Sequence, residues 1–156
     1  VKCRVATTDD CPLLAEWNHQ LIQDEGHRNP MTVAELEQRM SAWLSSGEYR
    51  AIIFSDKNEA TAYALFRETE DEIHLRQFFV VRRRRREGIG RRAMQHLFEN
   101  LWPKTKRWTV SVLVNNLPAL AFWRDMGYED YFLGLEIMPD NHPTSPSTAL
   151  FFDYGA

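Results

Sequence analysis

The stretch VVRRRRREGIGRRAM, residues 80–94, sets five consecutive arginines beside glycines at positions 88 and 90. Upstream, EIHLRQFFVV alternates like a strand; downstream, Ile89, Ala93, Met94, Leu97 and Leu101 recur at helical spacing. A glycine-bearing loop that opens a helix presents unpaired backbone N–H groups and the positive end of the helix dipole, and both favour an anion. Gly88 and Gly90 remove side chains that would hold a phosphate away from that backbone, while arginines add charge and bidentate donors. Three readings meet here: a turn with solvated arginines, a dinucleotide-binding turn, or a cradle for another phosphate-bearing molecule. GIGRRA fits the G-x-G-x-x-G/A spacing of a dinucleotide turn, but that chemistry expects an acid about 20 residues on to hold a ribose, where this chain reads VSVLVNN.

Working outward, KCRVA reads as a first strand and CPLLAEWNHQLIQDE as a helix with Leu13, Leu14, Trp17, Leu21 and Ile22 on one stripe. Thr32 and Glu35 form a capping box for a second helix carrying Val33, Leu36, Met40, Trp43 and Leu44. YRAIIFS, ATAYALFRE and EIHLRQFFVV then form a meander joined by short polar links. After the arginine loop and its helix come the strand RWTVSVLV, the helix LPALAFWRDMG and a closing strand, YEDYFLGLEIM. The order β-α-α-β-β-β-α-β-α-β implies an α/β (α+β) fold: a mixed, mostly antiparallel sheet with helices on both faces. Spacing assigns Trp17, Trp43 and Phe66 to the core. Residues 1–138 form the expected domain, and 139–156 a proline-rich connector and C-terminal tail.

Composition excludes several classes. With 44% hydrophobic and 26% charged residues, the chain is that of a globular protein with one core. Residues 82–92 carry a charge of +6 within a chain of net charge −3, so the basic segment is an island in an acidic surround. A nucleic-acid binder spreads positive charge over a wider face, so a small polyanion is the expected partner and nucleic acid is not. There is no apolar run of about 18 residues, and VKCRVATTDD lacks the apolar core of a signal peptide, so no membrane partner and a cytoplasmic setting are expected. Cys3 and Cys11 form no CxxC pair, and no metal site is suggested.

The loop resembles the cofactor loop of the GCN5-related N-acetyltransferase (GNAT) superfamily, whose Arg/Gln-x-x-Gly-x-Gly/Ala pattern is matched by Arg85, Arg86, Glu87, Gly88, Ile89 and Gly90. A second family region is matched by Asn116, Ala119, Phe122, Gly127 and Tyr128 in NNLPALAFWRDMGYED. The resemblance implies acetyl-CoA as co-substrate, with its pyrophosphate on the backbone N–H groups of Arg85 through Arg91. It implies that Phe78, Phe79 and Val80 pair with the pantetheine amides as a strand would, the Phe78 N–H polarising the thioester carbonyl. The helix bearing Asn116 and Ala119 lines the other side. A homodimer is an expectation by analogy with relatives.

Acetyl transfer requires a neutral amine, so a base must take the ammonium proton. Relatives that use a strand glutamate place it eleven residues before Arg85, where this chain has His74, with Glu72 as the alternative on the same strand face. Many relatives carry a thiolate-protonating tyrosine where this chain has Trp123, which leaves water, Tyr128 or Tyr131 as proton donors. Asp24 and Glu25, between the first two helices, are the candidates for attracting a cationic amine. The implied activity is direct acetyl transfer from acetyl-CoA to a primary amine of a small molecule or peptide. The alternatives are a catalytically weak acyl-CoA sensor and a dinucleotide-binding regulatory module.

Overall fold

A computed structural model describes residues 1–143. Its sheet has five strands in spatial order β1 to β5: β1 (Lys2–Val5), β2 (Arg50–Asp56), β3 (Glu59–Glu68), β4 (Glu72–Val80) and β5 (Arg107–Val110). β1 through β4 pair antiparallel and β5 pairs parallel with β4. The helices are α1 (Cys11–Glu25), α2 (Val33–Ser46), α3 (Ile89–His96, continued by a π-helical turn at Leu97–Leu101) and α4 (Leu117–Asp125). The β2–β3 hairpin turns through Lys57 and Asn58, both at positive φ, the geometry that matches strand twist in a two-residue turn. Thr32 and Glu35 make the capping box of α2, as the sequence predicts.

The sheet separates two cores. Leu14, Trp17, Leu21, Met40, Tyr63 and Phe79 pack beneath α1 and α2. Phe54, Phe66, Leu75, Ile89, Met94, Leu97 and Trp123 pack beneath α3 and α4. With both faces covered, Ala51–Phe54 and Thr61–Phe66 are buried without interruption, so these strands read as continuous apolar runs. In β4, Leu75 pairs with Phe66 and Gln77 with Leu65, leaving Arg76 as an extra, bulged residue. The bulge changes the face that side chains address, so Leu75 joins one core and Phe79 the other.

Two expected strands differ. RWTVSVLV pairs only as far as Val110, and Val114 is 65% exposed, because β4 bends at its bulge and leaves nothing for the rest to pair with. YEDYFLGLEIM forms no strand: Tyr131, Phe132 and Leu135 are exposed and the segment has no sheet partner among the described residues. Side chains hold it instead, through Arg124 with Asp130, Arg28 with Glu136, and Arg107 over the Tyr131 ring. Alternating apolar residues supply the propensity for a strand, but a free edge must accept it. Residues 144–156, most of the expected connector and tail, lie outside the described residues.

Candidate active site

The β4–β5 ladder ends at Leu75 and Val110, and beyond it the two chains diverge. β4 stays paired with β3 through Val80, so its other edge, from Arg76 to Val80, borders an opening rather than a strand. A cavity of about 620 Å³ fills that opening. Phe78, Phe79 and Val80 line one side, Asn116, Ala119 and Trp123 the other, and Arg85, Arg86, Gly88, Ile89, Gly90 and Arg91 one end. Phe78 stacks on Phe122 with centroids 6.2 Å apart and meets Trp123 edge-on at 5.6 Å, which makes a rigid aromatic wall. Asn116 caps α4 by accepting the Ala119 N–H at 3.3 Å.

The arginine run is mostly a set of internal staples. Arg82 and Arg85 both clasp Asp24 of α1 at 2.7 Å. Arg84 reaches Asp56 at 2.5 Å and also Glu59 and Glu87, while Arg83 pairs with Glu59. These contacts pin the loop to α1 and to the β2–β3 hairpin. Arg86 is the member of the run with no carboxylate partner among the described residues. It lines the cavity with a left-handed backbone, φ 66°, followed by Gly88 at φ 79°. The Arg85 N–H, expected to face phosphate, donates instead to the Arg82 carbonyl at 3.3 Å. From Arg86 through Arg91 the backbone N–H groups find no acceptor among the described residues, so the donor array begins one residue later than the motif implies. Glu87 does not line the cavity, being held by Arg84. The Val80 carbonyl accepts from Arg85 Nε at 2.8 Å; an opening bordered along its side by a strand edge with no strand partner, and at its end by orphaned N–H groups, fits an extended molecule that ends in phosphates.

His74 and Glu72 lie outside the cavity lining, on the part of β4 that still pairs with β5. Thr109, opposite His74, joins them: His74 Nδ1 lies 2.8 Å from Thr109 Oγ1, which donates to Glu72 Oε2 at 3.0 Å. A hydroxyl has one proton, and the carboxylate can only accept, so the Thr109 oxygen accepts from Nδ1–H. The neutral ring then has its lone pair on Nε2, the state of a base. Burial lowers the His74 pKa, with Arg76 and Arg67 adding to the effect and Glu72 opposing it, so the ring is neutral at pH 7.

Tyr128 lies outside the cavity lining. Its hydroxyl is buried without a partner among Phe98 and Trp123, and burial pushes its pKa up. Tyr131 is 80% exposed and stacked under Arg107. The hydroxyl in the cavity lining is Ser111, just past β5.

Asp24 and Glu25 both line the cavity but differ in availability. Burial would raise the Asp24 carboxyl, yet hydrogen bonds from Arg82 and Arg85 outweigh it and hold the group below its ordinary range. Its charge is spent on the loop. Burial, with Asp24 beside it, pushes the Glu25 carboxyl up, and it has no ion-pair partner among the described residues. Sequence reasoning missed Arg76, which lines the cavity and stacks on Trp43 at 4.7 Å. Its signal was the consecutive polar pair Arg76-Gln77, where the alternation of β4 breaks. Trp43, read as core, is only half-buried because its ring serves Arg76 and Arg39.

No helix among the described residues is long and apolar enough to cross a membrane. The fold is shared with solved acetyltransferases. A "possible acetyltransferase" from Clostridium difficile 630 superposes with TM-score 0.74 at 17% identity, covering 88% of this chain and 96% of that one. A ribosomal-protein-alanine N-acetyltransferase from Brucella melitensis gives TM-score 0.64 at 11% identity, covering 88% and 99%. An aminoglycoside N-acetyltransferase in complex with CoA gives 0.68 at 12%, covering 88% and 93%. No curated protein matches. The model of the acetyltransferase (GNAT) family matches residues 14–128, from the core of α1 through the end of the second motif, and the chain belongs to that family.

Proposed function

We propose that the protein is an acetyl-CoA-dependent N-acetyltransferase that acts on a primary amine by direct transfer. The observation that carries this reading is the splayed β4–β5 opening, with a strand edge that has no strand partner along its side and the orphaned N–H groups of Arg86 through Arg91 at its end. When bound, acetyl-CoA supplies an acetyl group activated as a thioester. Arg86 and the N–H groups from Arg86 to Arg91 hold the pyrophosphate, and the β4 edge at Phe78 to Val80 pairs with the pantetheine amides. The Phe78 N–H donates to the carbonyl oxygen, where negative charge grows on attack.

The acceptor ammonium must first lose a proton. His74 Nε2 accepts it through water, since the ring lies outside the cavity lining, while Thr109 and Glu72 hold the tautomer. The amine nitrogen then bonds to the carbonyl carbon as the C–S bond breaks. The second proton leaves the new amide nitrogen and the thiolate takes one up, so the net release is one proton per turnover. Trp123 walls the thioester and has no acidic proton to give; water ordered at Ser111 is our candidate for thiolate protonation. Thiolate leaves readily even without a dedicated acid, as a free thiol has a pKa of about 8.5.

The test is release of coenzyme A thiol on adding amines to protein and acetyl-CoA. Amine-dependent release supports transfer. Tight coenzyme A binding with no release over a broad amine panel would make the protein an acyl-CoA sensor instead.

A further inference from the structure

Outside the arginine loop, the cavity presents two charged side chains with no ion-pair partner among the described residues. One is the Glu25 carboxylate and the other the Arg76 guanidinium. Arg76 is bulged out of β4, four residues before Val80, which places it about 13 Å along the strand from the end of β4. Its Nη1 donates to Tyr49 Oη at 3.2 Å, and its guanidinium stacks over Trp43. The Nε and Nη2 edge has no partner among the described residues. That edge is a planar fork of two parallel donors, the shape that matches a carboxylate.

Arg39 reinforces the same spot. Its guanidinium lies 4.4 Å from the Trp43 ring centroid, it donates to Asn18 Oδ1 at 3.3 Å, and its Nε is buried without an acceptor. Burial first, and then the charge of Arg76, lowers its pKa. Two guanidinium groups therefore share one indole, with no Asp or Glu within ion-pair distance of either among the described residues. In the arginine loop Arg82 through Arg85 each have a carboxylate partner. Cations gathered in a partly buried place are normally matched by an anion.

Resting on the acetyltransferase reading, we propose that the acceptor is a small amine of the amino-acid class, which brings the missing carboxylate with it. Its carboxylate lies on the Nε/Nη2 fork of Arg76, Arg39 supplies a second positive charge behind Trp43, and its amine is drawn toward Glu25. A polycation such as an aminoglycoside or polyamine would set its charges against both arginines.

The experiment measures thiol release from acetyl-CoA with the common L-α-amino acids, their carboxamides, a polyamine and an aminoglycoside, alongside calorimetry of coenzyme A binding. At least one free acid is expected to exceed its own carboxamide by about 10- to 100-fold in kcat/KM, the worth of a charged hydrogen bond. The carboxamide amine is the more readily deprotonated, so this preference runs against intrinsic reactivity. Arg76→Gln is expected to erase the preference while coenzyme A affinity stays within about twofold, and Arg76→Lys to restore part of it. Equal use of acid and carboxamide, exclusive use of the polycations, a preference that survives Arg76→Gln, or coenzyme A binding without transfer to any acid would each overturn the proposal and leave the cofactor reading standing. Absence of coenzyme A binding would sink that underlying reading instead.

Discussion

His74 Nδ1 and Thr109 Oγ1 lie 2.8 Å apart across the parallel β4–β5 pair, in register, with Glu72 behind the hydroxyl. The pairing fixes the tautomer: Nδ1 holds the proton and Nε2 carries the lone pair, the form that the proposed base requires. Burial lowers the ring's pKa below the ordinary value of about 6.5, so the acidic limb of the kcat/KM profile is expected to have its midpoint below that value. His74→Gln is expected to lower kcat about 100-fold or more and to abolish the limb, with little change in KM for acetyl-CoA. An unaltered pH profile would remove His74 from the proton path.

The same group makes stability depend on pH. The unfolded chain protonates His74 near 6.5 and the folded chain resists it, so the unfolded state binds more protons and stability falls as pH drops through 6.5 toward the lower folded pKa. Denaturant midpoints of wild type and His74→Gln between pH 7.5 and 5 are expected to converge at the acidic end. Parallel curves would mean that the ring is not held neutral.

Within the arginine run, Arg84 and Arg86 have opposite roles. Arg84→Ala takes the arginine partner from Asp56 and Glu87 and leaves Glu59 with Arg83 alone, and it is expected to lower Tm, with a secondary loss of coenzyme A affinity. Arg86→Ala breaks no ion pair and is expected to leave Tm almost unchanged while raising the coenzyme A Kd about 10- to 100-fold. Thermal unfolding and calorimetry on both variants check this, and equal effects on affinity would contradict the division.

Gly88 stands at φ 79°, and a Cβ there would lie 3.1 Å from Arg92 Nη1. Gly88→Ala is expected to cost about 1–2 kcal/mol of stability from left-handed strain. Gly88→Glu adds bulk and negative charge beside the orphaned N–H groups and is expected to remove measurable coenzyme A binding. Calorimetry on the folded variant tests it, and unchanged affinity would detach the loop from the cofactor.

The elements around the site were legible because they are local. Periodicity located α1 and α2, Thr32 and Glu35 announced a cap, and Gly88 marked the entry to α3. The resemblance named most of the residues that line the cavity. What escaped was set by distant partners. No local pattern says that Asp24 is claimed by Arg82 and Arg85, or that the Arg85 N–H turns back to Arg82. The bulge at Arg76 depends on β3 register, and it decides where β5 stops and why Trp43 stays half-open. Tyr128 looked available by residue type, and only packing against Phe98 and Trp123 shows its hydroxyl sealed off.

The most direct measurement is a thermal-shift titration with acetyl-CoA, coenzyme A, NAD and NADP, none of which requires the acceptor to be known. A ligand at 100 times its Kd adds about 2.7 kcal/mol of stability. Stabilisation by the two CoA species and by neither dinucleotide is the predicted result. Stabilisation by NAD or NADP, with no response to coenzyme A, would make GIGRRA a dinucleotide turn and contradict the account.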